Sequence, residues 1–308
     1  MVLTGEVESA AKPTLRYQFI MPDESIVETT GAKDEVNGVE LASFTEDGST
    51  TFTVKPVLKW AGGKTQLLGQ LTSLMPTEEI TTYCKPFLGD GAMLFSIQPG
   101  IAYVNDINVG LMNVYNIIKY FPEELIAELN SYENTAKFYY AIRELDRDAK
   151  KFAALTAVEQ AARFIYLNKT CFNGLHRENR QGQFNVSYGK YKSPDFVNAE
   201  GIRAVRQYLN AANIYFTSMD FLEVLKNIPA GSFVYFDPPY DPVSETANFT
   251  GYTRYGFTSD DHIMLKQCCD ELTAREIKFM LSNSNTGFIR QLYAGYHITE
   301  VPARRAIN

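Results

Sequence analysis

Phe233-Val234-Tyr235-Phe236-Asp237-Pro238-Pro239-Tyr240 is an apolar run of four stopped by an acid, two prolines and an aromatic. The first half has the composition of a buried strand. Proline fixes its own φ and carries no N–H, so a strand ladder ends where Pro238 begins. Outward from this stretch, apolar or β-branched runs bounded by turn residues recur at 82–87, 101–105, 213–217, 277–281 and 296–301. Helical patterns lie between them, at 109–120 and 259–274. Strands alternating with helices predict an α/β fold with a parallel, doubly wound sheet. In such a sheet ligands bind beyond the carboxyl ends of the strands, which is where Asp237–Tyr240 falls.

That edge suits a particular chemistry. Two prolines make a stiff platform and hold nearby peptide carbonyls outward as acceptors. An adenine amino group is a poor nucleophile, because its lone pair is delocalised into the ring. The Asp237 carboxylate and the Pro238 carbonyl can accept its two hydrogens and favour the pyramidal nitrogen. Pro239 stiffens the turn, and Tyr240 can stack on the base.

Composition narrows the field. A hydrophobic fraction of 45% excludes a disordered chain. No apolar run reaches the roughly 18–20 residues that span a bilayer, and the N-terminus has no signal-peptide pattern, so a cytoplasmic protein is expected. The four cysteines form no C-x-x-C pair and there are only three histidines, so no metal site is expected. The net charge of -7 argues poorly against a nucleic-acid partner, because residues 1–50 hold ten acids and three bases. Residues 168–192 hold five bases and one acid, and local charge is what meets phosphates.

Asp-Pro-Pro-Tyr resembles the catalytic motif of amino-methylating DNA methyltransferases, and the further matches stand in the order of the Dam-type adenine methyltransferases, the α group. Lys59-Trp60-Ala61-Gly62-Gly63-Lys64 is not a phosphate-binding P-loop, because position 58 is leucine where that pattern needs glycine. It is similar to the family's cofactor segment, which implies that Trp60 and Lys64 hold S-adenosylmethionine. Pro86-Phe87-Leu88-Gly89-Asp90-Gly91-Ala92 resembles the Phe-x-Gly-x-Gly cofactor loop, with Phe87, Gly89 and Gly91 in the matching places. Asp90 adds a charge there that the loop pattern does not require. Asp106, ending the next strand, is implied to bind ribose hydroxyls, and it also fits a helix cap. Asp220-Phe221 resembles the acidic-aromatic pair that contacts the cofactor's adenine.

The run 168–192 interleaves basic, amide and aromatic residues without a clear hydrophobic period. By itself that pattern describes a solvated loop. In the resemblance it is the target-recognition segment of GATC-methylating enzymes, implying DNA contacts by Lys169, Asn173, Arg177, Asn179, Arg180, Lys190, Tyr191 and Lys192. Arg177 is implied to read the first guanine. Ser187 stands where the family often has proline, a departure within the segment implied to read the target sequence. Residues 249–256 resemble the loop after the catalytic motif, with Tyr252 as a DNA contact, and Ser282–Thr286 resembles a polar turn lining the pocket.

The expected organisation is an acidic extension at 1–53, a catalytic domain at 54–121 and 211–308, and a mostly helical target-recognition insert at 122–210. The extension carries alternating runs near residues 15–21, 39–44 and 50–54, readable as strands of a small β unit or as a tail. The insert opens on helical patterns at 122–131, 135–146 and 157–168. The catalytic domain is expected to be a Rossmann-like class I S-adenosylmethionine methyltransferase sheet. The resemblance implies a further turn, strand and tail beyond Asn308. The implied partner is double-stranded DNA, with no membrane and no metal, and a cognate restriction endonuclease left open. Two other readings remain: a silent or truncated DNA-binding relative, or methylation of another nucleic acid or a protein amide.

Overall fold

A computed structural model describes residues 16–20, 26–30, 42–44, 50–60, 67–76, 80–226, 228–243 and 256–302. The chain divides into two units, residues 1–41 and 42–308. In the first, β1 (Arg16–Ile20) and β2 (Ile26–Thr30) form an antiparallel hairpin. In the second, β3 (Ala42–Phe44) and β4 (Thr50–Phe52) form another.

The body runs α1 (Leu68–Ser73), β5 (Thr82–Lys85), α2 (Ala92–Ile97), β6 (Ile101–Asn105), α3 (Val109–Tyr120), α4 (Pro122–Asn130), α5 (Ala136–Glu144), α6 (Ala149–Ala153), α7 (Ala157–Thr170) and α8 (Ala199–Ala211). It continues with β7 (Asn213–Thr217), α9 (Phe221–Lys226), β8 (Ser232–Phe236), α10 (Ser259–Ala274), β9 (Lys278–Leu281) and α11 (Gly287–Leu292). Strands β5 to β9 make one parallel sheet in the order β7-β6-β5-β8-β9. This is the expected α/β, Rossmann-like arrangement. The earliest strand of the sheet is central, and the winding reverses between β5 and β8. Their carboxyl ends therefore flank the crevice in which such sheets bind ligands.

Sheets covered on both faces read as continuous apolar runs. All five residues of β8 are buried. Cys84, Val234 and Phe236 pack with Phe221, Leu265, Cys269, Leu272 and Ile289 from α9, α10 and α11. Burial pushes the Cys84 and Cys269 thiols up to about 12, so both stay protonated packing groups.

One sequence expectation is corrected. Residues 296–301 form no strand. Tyr296 instead stacks edge-on against Phe279, and its hydroxyl donates to Asp270 Oδ1 of α10 at 2.7 Å. Its apolar ring caps β9 rather than extending the sheet. Beyond the aperiodic run 168–192 the chain is helical again, with α8 at Ala199–Ala211. Its buried residues Ile202, Val205, Tyr208 and Leu209 have helical spacing.

Between α3 and β7 the chain leaves the sheet for α4 to α8. Helix α7 is the pillar of this region, packing on α3, α4 and α5. It starts with a reciprocal capping box, Thr156 to the Glu159 N–H and Glu159 back to Thr156. Arg163 on α7 pairs with Asp146 at 2.7 Å, the two side chains 8% and 11% exposed. Asp146 Oδ2 also accepts from the Phe184 N–H at 2.9 Å, so this pair pins the middle of the 168–192 run. Removing one partner of a buried pair strands the other, at about 3–5 kcal/mol. Asp146→Ala is expected to destabilise the fold by that amount in urea unfolding. A change below about 1 kcal/mol, the range of surface pairs, would mean the pair is not structural.

Candidate active site and nucleic-acid interface

The glycine turn after β5 is built by close approach. Gly89 and Gly91 have φ of +58° and +73°, the left-handed region that other residues enter at a cost. A Cβ on Gly89 would lie 3.1 Å from the Trp60 ring, and one on Gly91 would lie 2.8 Å from Phe95. Asp106, after β6, holds this turn. Its Oδ2 accepts from the Gly89 N–H and its Oδ1 from the Asn108 N–H, both at 3.0 Å. Burial raises the Asp106 pKa, opposed by those two donors and by the charges of Lys85 and His176. Asp106 thus serves the turn directly, while Asn108, not Asp106, caps α3.

Asn105 ties the neighbouring strand ends together. Its amide donates to the carbonyls of Pro86 and Met219 at 3.0 Å and accepts from Thr217 and the Met219 N–H at 2.9 Å. The Asp220 carboxylate caps the start of α9 by accepting from the Leu222 N–H at 2.8 Å, and Asp220 is exposed. Phe221 is buried, packed between Phe87 at 5.3 Å and Phe257 at 6.0 Å. Phe87 and Phe221 therefore form an apolar floor at this edge.

Asp237 follows β8 on the other side of the switch point, half-buried, with Pro238 buried and Pro239 and Tyr240 half-buried. Asp241 continues the turn: its N–H donates to Asn283 Oδ1 at 3.0 Å and its carboxylate accepts from Thr286 at 2.6 Å. The polar turn 282–286 thus braces the chain just past the tetrapeptide. Asn283 also meets His262 Nδ1 of α10 at 3.4 Å. Sequence reading passed over Lys85, whose ammonium lies 4.0 Å from Asp237 Oδ2 while its side chain is 3% exposed. The available signal was a lysine in an otherwise apolar strand.

The run 168–192 is ordered by its own amides. Asn168 is buried and clamps the backbone of Lys59, accepting its N–H at 2.8 Å and donating to its carbonyl at 2.7 Å. His176 stacks on Trp60 at 5.5 Å and on Phe164 at 4.9 Å. Lys59 and Trp60 are therefore packed against the basic run. Arg177 is exposed, its Nε and Nη2 donating to Asn185 at 2.7 and 3.3 Å. Asn179 spends its amide inside the turn, accepting from the Gln181 and Gln183 N–H groups and donating to Gln183 Oε1. Arg180, Lys190 and Lys192 are exposed. The Tyr191 hydroxyl accepts from the Asn173 N–H at 3.1 Å, and Lys59 Nζ sits 4.7 Å over the Tyr191 ring. Lys59, Lys169 and Tyr191 line one cavity of about 260 Å³ with Ser193, Pro194 and Asp195. Lys59 opens the sequence motif, which implies no role for it. Phe172, 52% exposed beside Asn173, was likewise not singled out. Lys64 and Tyr252 lie outside the described residues.

A basic, amide-rich face joined to a glycine turn and an Asp-Pro-Pro-Tyr edge is matched by one family model. Residues 60–307 match the D12 class N6 adenine-specific DNA methyltransferases. The chain belongs to this family. Among its relatives, the type II methyltransferase M1.LlaDCHI of Lactococcus lactis is 41% identical over 82% of this chain and 89% of its own length. The type II methyltransferase M.MjaIII of Methanocaldococcus jannaschii is 42% identical over 83% and 93%. The DNA adenine methylase of Escherichia coli K12 is 33% identical over 82% and 88%. The family makes the protein an enzyme that methylates adenine in DNA. Among the described residues no helix is long and apolar enough to cross a membrane, and no three His, Cys, Asp or Glu residues are grouped to hold a metal ion.

Proposed function

We propose that the enzyme takes its methyl group from S-adenosylmethionine and delivers it to the amine of an adenine turned out of double-stranded DNA, at GATC. The observation that carries this reading is the meeting, at one switch point, of a glycine turn held by Asp106 and a rigid acceptor edge after β8. The residues present fit the donor. A backbone without Cβ atoms faces Trp60, a carboxylate suited to a ribose diol stands beside it, and Phe87 and Phe221 offer an apolar floor. Trp60, Lys64, Phe87, Gly89, Gly91, Asp106, Asp220 and Phe221 are the residues proposed to hold it. When bound, it supplies an electrophilic methyl group on a sulfonium.

The chain's own work is positioning and charge. The Asp237 carboxylate and Pro238 carbonyl accept the two amine hydrogens, which aims the nitrogen lone pair and stabilises the positive charge that builds on it. Pro239 keeps the edge stiff, and Tyr240 stacks on the ring. A paired base cannot present its amine to a recessed edge, so the base leaves the stack. Lys169, Arg180, Lys190 and Lys192 neutralise phosphates. Arg177, braced by Asn185, reads guanine, while Asn173, Asn179 and Tyr191 shape the same face, and Tyr252 is a further proposed DNA contact. Phe172, exposed beside Asn173, is the side chain proposed to fill the gap that an extruded base leaves in the stack.

Asp106 gives the cofactor reading its test. Only the ionised carboxylate is a full acceptor for ribose hydroxyls. Because burial raises its pKa, protonation sets in at higher pH than for an ordinary aspartate. S-adenosylmethionine affinity, measured by equilibrium dialysis, is expected to weaken as pH falls through the acid range. Asp106→Asn should bind at least about tenfold more weakly at neutral pH, roughly one charge-assisted hydrogen bond, and should lose that pH dependence. Unchanged affinity in Asp106→Asn would remove Asp106 from the site.

A further inference from the structure

Lys85 is the charged group for which sheet packing alone gives no account. It ends β5, the central strand, between the strand that leads to Asp106 and the strand that leads to Asp237. A buried ammonium is unfavourable unless paired, and an apolar residue would pack the strand more cheaply. Its Nζ rests 4.8 Å over the Tyr235 ring and 4.0 Å from Asp237 Oδ2. The Tyr235 ring is itself fixed, its hydroxyl hydrogen-bonded to Ser282 Oγ at 2.9 Å. The charge of Lys85 also reaches Asp106. A lysine so placed is braced on one side by an immobile aromatic and faces the catalytic carboxylate on the other.

We propose that Lys85 is a positioning residue for methyl transfer: its ammonium, steadied on Tyr235, fixes the orientation in which the Asp237 carboxylate meets the adenine amine. This rests on the reading of Asp237 as the amine-binding group. Lys85 does not touch substrate; it acts through Asp237. Methyl transfer tolerates little angular error between nucleophile and methyl group, so a carboxylate free to rotate lowers the rate without loosening DNA. Lysine, a compact point charge, can be replaced by arginine only in part at such a site.

The test is a double-mutant cycle in single-turnover methyl transfer, with saturating S-adenosylmethionine and a duplex that the unaltered enzyme methylates. Lys85→Met is expected to slow transfer about tenfold or more, the scale of coupling between residues in contact, with duplex affinity within about threefold. Lys85→Arg should recover part of the rate. In the Asp237→Asn background, Lys85→Met should change the rate by less than about threefold, because the residue it acts through is already altered. Equal losses in both backgrounds, or no loss in Lys85→Met, would overturn the proposal. An Asp237→Asn enzyme as fast as the unaltered one would instead overturn the reading of Asp237. If Lys85→Met does not fold, the Lys85 side-chain ¹⁵N resonance is compared between the unaltered enzyme and Asp237→Asn. A shifted resonance supports the contact, and an unmoved one refutes the proposal.

Discussion

Asp237→Asn is expected to slow methyl transfer by about 10²–10³, the loss typical when one preorganised polar group at a developing charge is removed. Every residue of β8 is buried, so the strand cannot shift to accommodate a change at its end. Pro238 and Pro239 remove the N–H groups through which the turn could re-pair, and the Asp241–Asn283–Thr286 contacts fix the chain just beyond. Asparagine keeps the size of the side chain and presents a carbonyl towards Lys85. It loses the negative charge, and half of its amide now offers hydrogens to an amine that also offers hydrogens. The loss should appear in kcat, with duplex affinity and cofactor affinity within about threefold, because the interaction is made fully only as nitrogen becomes cationic. A loss confined to KM would mean that Asp237 binds the base without assisting the chemistry.

Arg177→Ala is expected to reduce discrimination at one base pair by about 5–150-fold, the 1–3 kcal/mol of a bidentate guanine contact. Arg177 is exposed, yet its Nε and Nη2 are engaged with Asn185, so the guanidinium plane is set before DNA arrives. A set plane loses less conformational freedom on binding and rejects other bases more strictly. Arg177→Lys should therefore resemble alanine in specificity while keeping much of the affinity. Lys190→Ala is the contrasting control: a phosphate contact weakens binding to all sequences alike and lowers the salt slope by about one. If Arg177→Ala weakened every duplex equally, it too would be a phosphate contact.

Much of the fold was legible because its signals are local. Apolar runs at 101–105, 213–217 and 232–236 coincide with β6, β7 and β8, and the helix starts at Thr156 and Thr258 carry capping boxes. The run at 296–301 misled because alternation cannot tell a strand from an aromatic that covers a neighbouring strand, as Tyr296 does. Helix α8 was hidden in a region whose earlier half is aperiodic. The site was legible as a set of motifs but not as a network. No spacing rule reports that Asn168 clamps Lys59, 109 residues away, or that Asn105 joins the ends of three strands. Lys85 escaped for the opposite reason: a charge in a strand reads as an edge feature until the strand proves central.

The most direct measurement is transfer of labelled methyl from S-adenosylmethionine by the purified enzyme to two duplexes of equal composition, one with GATC and one with GTAC. Label on adenine of the GATC duplex alone, appearing about 10²–10³-fold more slowly with Asp237→Asn, is the predicted result. Equal labelling of both duplexes, or an unchanged labelling rate with Asp237→Asn, would contradict it.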